Sequence, residues 1–242
     1  VFHHNNLAKL EALLESIRAK PGKFKILVAT ESVFSMDGDL CPLREIVDLT
    51  ERYGALLLLD EAHGFGVLGE HGMGLAEREG LQRSVTFQMG TLSKAAGLAG
   101  GFIATSRAFS ELLVNRARSF VFSTAPPPAI CHAATAALEL IRSDDGATLR
   151  QTLRNNIDIL TKAHPSPIIP IILGGNKAAL AASKALEESG YLVPAIRYPT
   201  VPRDTARLRI SLSSAHPTVA VEALALTMAN QVVAPPRVAP PR

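Results

Sequence analysis

The stretch "ALLLLDEAH", Ala55 to His63, decides how this chain is read. Apolar residues run without interruption from Ala55 to Leu59 and stop at Asp60. Continuous apolarity, rather than alternation, predicts a strand covered on both faces, as in a parallel sheet. Asp60 then stands at the carboxyl end of that strand, where open α/β sheets place their ligands. A carboxylate there is costly unless a cation meets it. The other reading open to Asp60 is a cap on the turn that follows the strand.

The letters DEAH also follow an apolar strand in some helicases. Those need a G-x-x-x-x-G-K-[ST] phosphate loop upstream. No such loop exists here, and Lys94 comes after Asp60, not before it.

Working outward, strands and helices alternate. Leu7, Leu10, Leu14 and Ile17 recur at helical spacing, and "KPGK" ends that helix. "FKILVATES" predicts a buried strand. Pro42 opens a helix carrying Leu43, Ile46, Val47 and Tyr53, with Gly54 as its stop. "SVTFQMG" and "GGFIATS" predict two more strands. A helix over 106–119 and a short strand near Val121 follow. This half reads as α/β. Pro126 to Pro128 mark a boundary. Beyond it the pattern predicts helices over 129–142 and to about 163, then strand 168–173, helix 176–189, strands 191–197 and 206–213, and helix 218–232. The expected division is therefore 1–126, part of a large domain; 127–234, a linking helix and a smaller α+β domain; and 235–242, a Pro-rich disordered tail.

Net charge is +3 with both signs interspersed. That is not the clustered basic face of a nucleic-acid binder. No apolar run is long enough to span a bilayer, and no signal peptide opens the chain; a cytoplasmic protein is expected. Cys41 and Cys131 lie far apart and read as buried or half-buried thiols. His3 and His4 lack a third ligand at plausible spacing, so no metal site is expected.

"GTLSKAAGLAGG", Gly90 to Gly101, sets one lysine among small residues. Thr91 and Ser93 precede Lys94; Gly97, Gly100 and Gly101 follow it. Hydroxyls and exposed backbone donors suit a phosphate. A lysine beside a phosphate site, downstream of a strand-end carboxylate, fits pyridoxal 5'-phosphate (PLP): the lysine joins the aldehyde, and the carboxylate keeps the pyridine nitrogen protonated. The plain alternative is a solvated loop lysine. Arg207 and Arg209, two apart on a strand, share one face. An arginine facing the cofactor would hold a substrate carboxylate through two parallel hydrogen bonds. An exposed basic face remains the alternative for Arg207 and for Arg197.

"ESVFSMDGD", "LLLLDEAHGFGVLGEHGMG", "GTLSKAAGLAGG", "FVFSTAPPP" and "AIRYPTVPRDTARLRISLSSAH" together resemble the α-oxoamine synthases. These are fold-type I PLP enzymes that join an amino acid to an acyl thioester and release carbon dioxide. The resemblance implies that Lys94 is the Schiff-base lysine and that Asp60 pairs with the pyridine nitrogen. It places His63 and Ser35 on the phenolic oxygen, Thr91 on the phosphate, and Thr124 on the phosphate of a neighbouring subunit. It gives the amino-acid carboxylate to Arg209, with Arg197 also in the substrate site, and it implies a homodimer. The "RYPTVP" and "RLRISLSSAH" segments favour a member that condenses L-alanine with a pimeloyl thioester. A member using glycine and an acetyl thioester, and a catalytically incomplete remnant, are the alternatives. Ser35 can equally begin the "SMDGD" turn, His63 can be a core histidine, and Thr124 can be a turn residue before the prolines. His216, before Pro217, fits a helix cap as well as a functional role.

Two departures stand out. Asn6 replaces the aspartate of the family's His-Asn-Asp pattern, and Tyr198 stands where proline is usual. The resemblance also implies further residues before Val1, among them a glycine-bearing phosphate loop and a histidine that stacks on the pyridine ring. The chain is therefore expected to be an N-terminally truncated piece of a longer protein.

Overall fold

The computed structural model describes residues 1–22 and 24–231. The Pro-rich tail expected over 235–242 lies outside the described residues. The chain forms two compact units, Val1–Val33 with Leu40–Ala147, and Phe34–Asp39 with Thr148–Arg242.

In the first unit, α1 (Leu7–Arg18) begins at Asn6, whose side chain accepts from the Lys9 amide at 2.8 Å. That cap satisfies one of the four amides a helix start leaves open. Leu10 and Leu14 are its buried positions. After β1 (Leu27–Glu31), Pro42 precedes α2 (Leu43–Arg52), which buries Leu43, Ile46 and Val47. Gly54, at φ +57, turns the chain out of that helix. Next come β2 (Leu56–Asp60), the short α3 (Leu75–Arg78), β3 (Phe87–Thr91) and β4 (Gly101–Thr105). The sheet order is β1-β2-β3-β4; the first three strands are parallel and β4 is antiparallel to β3. The mostly parallel α/β sheet read from the sequence is present.

Two expectations need correction. Burial along β2 alternates, with Leu57 and Leu59 sealed and Leu56 and Leu58 only partly covered. The strand is not covered equally on both faces: α2 packs against it, while Leu27 of β1 and Ile103 of β4 stay exposed. The strand expected near Val121 is helical: α4 (Arg107–Arg116) is followed by α5 (Arg118–Val121). Neither helix buries a residue. Their apolar side chains therefore left no burial pattern to distinguish strand from helix. Then α6 (Pro128–Arg142) closes the unit, with Pro128 at its first position. The sequence reading grouped this helix with the later residues; in the structure it belongs to the first unit. Cys131, on α6, is exposed, whereas Cys41 is buried as expected.

The helix α7 (Asp144–Leu160) runs past the division at Ala147. In the second unit, β5 (Ile168–Gly174), α8 (Asn176–Glu188), the two-residue β6 (Ala195–Ile196), β7 (Ala206–Ser211) and α9 (Thr218–Gln231) follow. The antiparallel order is β5-β7-β6, and α8 packs on all three strands. The strand expected over 191–197 shrinks to two residues, because Pro194 has no amide to donate to the ladder. The core holds Ile169, Ile171, Leu186, Leu208 and Ile210. The segment Phe34–Asp39 also counts with this unit, although its sequence neighbours do not. Val33 and Leu40 pair as an isolated antiparallel bridge, so the excursion leaves and returns at one place.

Candidate active site

The parallel strands of the first unit end together. Glu31 lies opposite Asp60, and Asp60 opposite Met89. The ladder extends to the tips: the Ser32 amide donates to the Asp60 carbonyl at 2.8 Å, and the Glu61 amide to the Met89 carbonyl at 2.7 Å. Asp60 is half-buried, and its Oδ1 accepts from the Ala62 amide at 2.8 Å. One oxygen caps the turn, and the other accepts from no donor among the described residues.

The chain after Asp60 makes a tight helical turn, with the Gly64 and Phe65 amides donating to the Glu61 carbonyl at 2.9 and 2.7 Å. That turn carries His63. Gly66 follows at φ +78, where a Cβ would sit 2.3 Å from the Ala95 Cβ. Only glycine lets this loop lie so close to the residue beside Lys94. The result is a direct contact: Lys94 Nζ lies 2.8 Å from His63 Nε2. A lysine ammonium has only donors, so in this contact the imidazole nitrogen accepts.

Lys94 itself is exposed, in a loop pinned at its neck. The Leu92 amide donates to the Gly100 carbonyl at 2.9 Å, and the Leu98 amide to the Leu92 carbonyl at 2.8 Å. Thr91 Oγ1 and Ser93 Oγ stand 2.8 Å apart, and Thr91 Oγ1 also donates to the Gly100 carbonyl at 3.2 Å. Two hydroxyls thus sit side by side at the strand end that leads into the lysine loop. Thr124 is exposed, between α5 and α6. The structure brings Asp60, His63, Thr91 and Lys94 to one sheet end and leaves Thr124 in the stretch before α6.

Glu61 was missed by the sequence reading. It is 3 % exposed, and its Oε1 accepts from the Ala76 amide at 2.9 Å. Its Oε2 is buried near Ser32 Oγ, close enough for the hydroxyl to favour its charged form but without a well-formed hydrogen bond between them. Burial pushes the Glu61 carboxyl above its usual range and the neighbouring Asp60 charge adds to this; the Ser32 hydroxyl and the Ala76 and Leu75 amides oppose it. The available signal was two consecutive acids after a buried strand, of which only one can face outward at the tip.

In the second unit, Arg207 and Arg209 have different tasks. Arg207 is 3 % exposed; its Nε donates to the Thr205 carbonyl at 3.1 Å, and its Nη1 meets Asp37 Oδ1 at 2.5 Å and the Met36 carbonyl at 3.1 Å. The exposed basic face open to Arg207 is thereby excluded. Arg209 is half-buried, with burial disfavouring its charged form. Its Nε donates to the Ser35 carbonyl at 2.6 Å and its Nη1 to Ser211 Oγ at 2.8 Å. Ser35 therefore sits with Arg209. Arg197 is exposed after β6, and its carbonyl accepts from the Thr200 amide at 2.9 Å.

The family model for aminotransferase class I and II matches residues 2–226. The chain belongs to the aminotransferase class I and II family. Among curated relatives, the 8-amino-7-oxononanoate synthase of Anaeromyxobacter dehalogenans (strain 2CP-C) is 45% identical over 251 residues, covering 99% of this chain and 62% of that protein. The enzyme of the same name from Bordetella petrii is 46% identical over 228 residues, 90% of this chain and 57% of that protein. The chain spans about three-fifths of the length of these relatives. Among solved structures, a serine palmitoyltransferase from S. paucimobilis with a bound PLP–myriocin aldimine superposes with a TM-score of 0.88 at 28% identity, over 95% of this chain and 60% of that one. The resemblance to α-oxoamine synthases and the fold-type I architecture are both borne out by these matches.

Proposed function

We propose that the chain carries the PLP-handling and amino-acid-binding parts of an 8-amino-7-oxononanoate synthase, which condenses L-alanine with a pimeloyl thioester and releases carbon dioxide. The observation that carries the reading is the Lys94–His63 contact of 2.8 Å at the sheet end that bears Asp60. The relatives of about 45% identity supply the choice of substrates.

The residues fit PLP. Asp60 keeps one carboxylate oxygen clear of protein donors, as a protonated pyridine nitrogen requires, and the Thr91 and Ser93 hydroxyls are adjacent, as a phosphate requires. PLP, when bound, supplies an electron sink for negative charge at the amino-acid α-carbon. Lys94 is the group that anchors the cofactor and, once released, removes the α-proton as a general base. His63 receives a hydrogen bond from Lys94 and holds the amine in place. Thr91 serves the phosphate, and His63 and Ser35 the phenolic oxygen. Arg209 holds the substrate carboxylate until it leaves as carbon dioxide, Arg197 also binds substrate, and Thr124 serves the phosphate of a second subunit.

A homodimer is part of the proposal. It is supported by the exposed apolar residues Leu112, Val114, Phe120 and Phe122 on and beside α4 and α5. So is a cytoplasmic location, in keeping with the exposed free thiol of Cys131. Among the described residues no helix is long and apolar enough to cross a membrane.

The test is Lys94→Ala in the full-length protein. The visible absorption of lysine-bound cofactor should vanish, and turnover should fall by about a thousandfold or more. An unchanged band would overturn the assignment. Mass spectrometry of products from alanine plus pimeloyl thioester, against glycine plus acetyl thioester, separates this reading from a glycine C-acetyltransferase. Absence of any cofactor band in the unaltered protein would leave the non-catalytic remnant.

A further inference from the structure

We propose that Asp37 and Arg207 form a positioning pair that locks the Phe34–Asp39 segment to β7 and thereby fixes the orientation of Arg209 toward the amino-acid carboxylate. The inference rests on the reading of Arg209 given above. It adds a role for two residues that do not touch substrate.

The segment is short and leaves the first unit's chain at Val33, returning at Leu40. A six-residue excursion of this kind has little core of its own and needs outside attachment to hold one shape. Among the described residues these attachments are seen. Arg207 Nη1 meets Asp37 Oδ1 at 2.5 Å and the Met36 carbonyl at 3.1 Å. Arg209 Nε donates to the Ser35 carbonyl at 2.6 Å. Ser166 Oγ donates to the Gly38 carbonyl at 2.7 Å. Gly38, at φ +69, lies so close to β5 that a Cβ would fall 1.9 Å from the Ile168 carbonyl oxygen. The segment also closes on itself, through the Gly38 amide to the Phe34 carbonyl at 2.7 Å and the Phe34 amide to the Asp39 carbonyl at 3.0 Å.

The two arginines divide the work. Arg207 is buried, and its bonds to Thr205, Met36 and Asp37 leave it turned away from solvent. Arg209 is held by two acceptors on different sides of its guanidinium, the Ser35 carbonyl and Ser211 Oγ. Two acceptors define the plane of a rigid guanidinium. That leaves Nη2 and the second Nη1 proton as a fork for a carboxylate. One of the two acceptors, Ser35 O, sits on the segment that Asp37 ties down, two residues away. Loss of the tie lets Ser35 O drift, and the fork drifts with it. Recognition of the carboxylate suffers first, because a small displacement undoes a bidentate bond.

The test uses the full-length protein, with steady-state kinetics in both substrates, cofactor absorbance, and a urea midpoint for each variant. Asp37→Asn, which keeps the shape and removes the charge, should raise the KM for L-alanine about tenfold. It should leave the KM for the pimeloyl thioester and the visible cofactor band unchanged. Asp37→Glu, which keeps the charge, should recover part of the loss. Arg209→Lys is the control on the underlying reading and should raise the alanine KM at least as much. An Arg209→Lys enzyme with unaltered alanine KM overturns the carboxylate role of Arg209 itself. A raised alanine KM in Arg209→Lys beside an unaltered one in Asp37→Asn overturns the positioning pair alone. So does an Asp37→Asn effect that falls equally on both substrates and tracks the urea midpoint, since a merely structural residue behaves that way.

Discussion

Glu61 and Asp37 are acids of similar placement and opposite treatment. Each lies one or two positions from an expected site residue, Glu61 beside Asp60 and Asp37 two past Ser35. Glu61 is sealed in the first unit with backbone amides around it, and burial favours its neutral form. Asp37 instead meets an arginine that is itself buried. The difference follows what each region has to do. Glu61 is shut away from water, and it is mainly this burial that raises its carboxyl. The Phe34–Asp39 segment has no sheet of its own, and a directional charge-assisted bond gives it a fixed position. The loop that carries Lys94 is placed by glycine and backbone contacts; the segment beside Arg209 is placed by paired charge.

The contrast breaks most severely at Gly38. Gly38→Ala places a methyl 1.9 Å from the Ile168 carbonyl oxygen at a positive φ, and neither backbone can give way. A loss of about 3 kcal/mol or more of unfolding free energy is expected from strain and overpacking of this kind. Urea denaturation measures it, and a variant within about 0.5 kcal/mol of the unaltered protein would show that the segment is not seated on β5.

Arg207→Met comes next. It keeps the buried volume and strands Asp37, whose side chain is 32% exposed. A broken buried pair costs several kcal/mol, but water reaches this acid, so about 1–2 kcal/mol is expected. The same denaturation series reads it. Pairing it with Asp37→Asn sharpens the comparison: if the charge pair sets the cost, the double variant is less destabilised than the sum of the two single changes.

Much of this was legible before any coordinates. The continuous run before Asp60, the hydroxyls before Lys94 and the alternation of strands and helices are local patterns, and local patterns survive in sequence. The unit boundary was less so, because Pro126 to Pro128 mark only a helix start, and α6 stays with the first unit. The segment around Ser35 was read as a turn in the large domain, yet it packs with β7, some 170 residues later. No periodicity encodes such a contact. The arginines were legible as a pair on one face, but which of them is buried depends on Asp37, and that partner is visible only in three dimensions.

The smallest expected effect tests the other half of the comparison. Glu61 has its carboxyl raised above its ordinary value of 4.5, chiefly by burial. Between that value and its higher folded one, the folded protein holds a proton that the unfolded chain releases. Stability must then fall as pH rises through this window and level off above it. Below the window Glu61 is neutral in both states and contributes no slope. Glu61→Gln keeps an oxygen to accept from the Ala76 amide and removes the titration. Its urea midpoint should match the unaltered protein near pH 4 and exceed it increasingly as pH rises, by an amount set by how far the carboxyl has been displaced. Parallel curves across the range would mean that Glu61 ionises as freely in the fold as in water, and that burial does not govern its carboxyl.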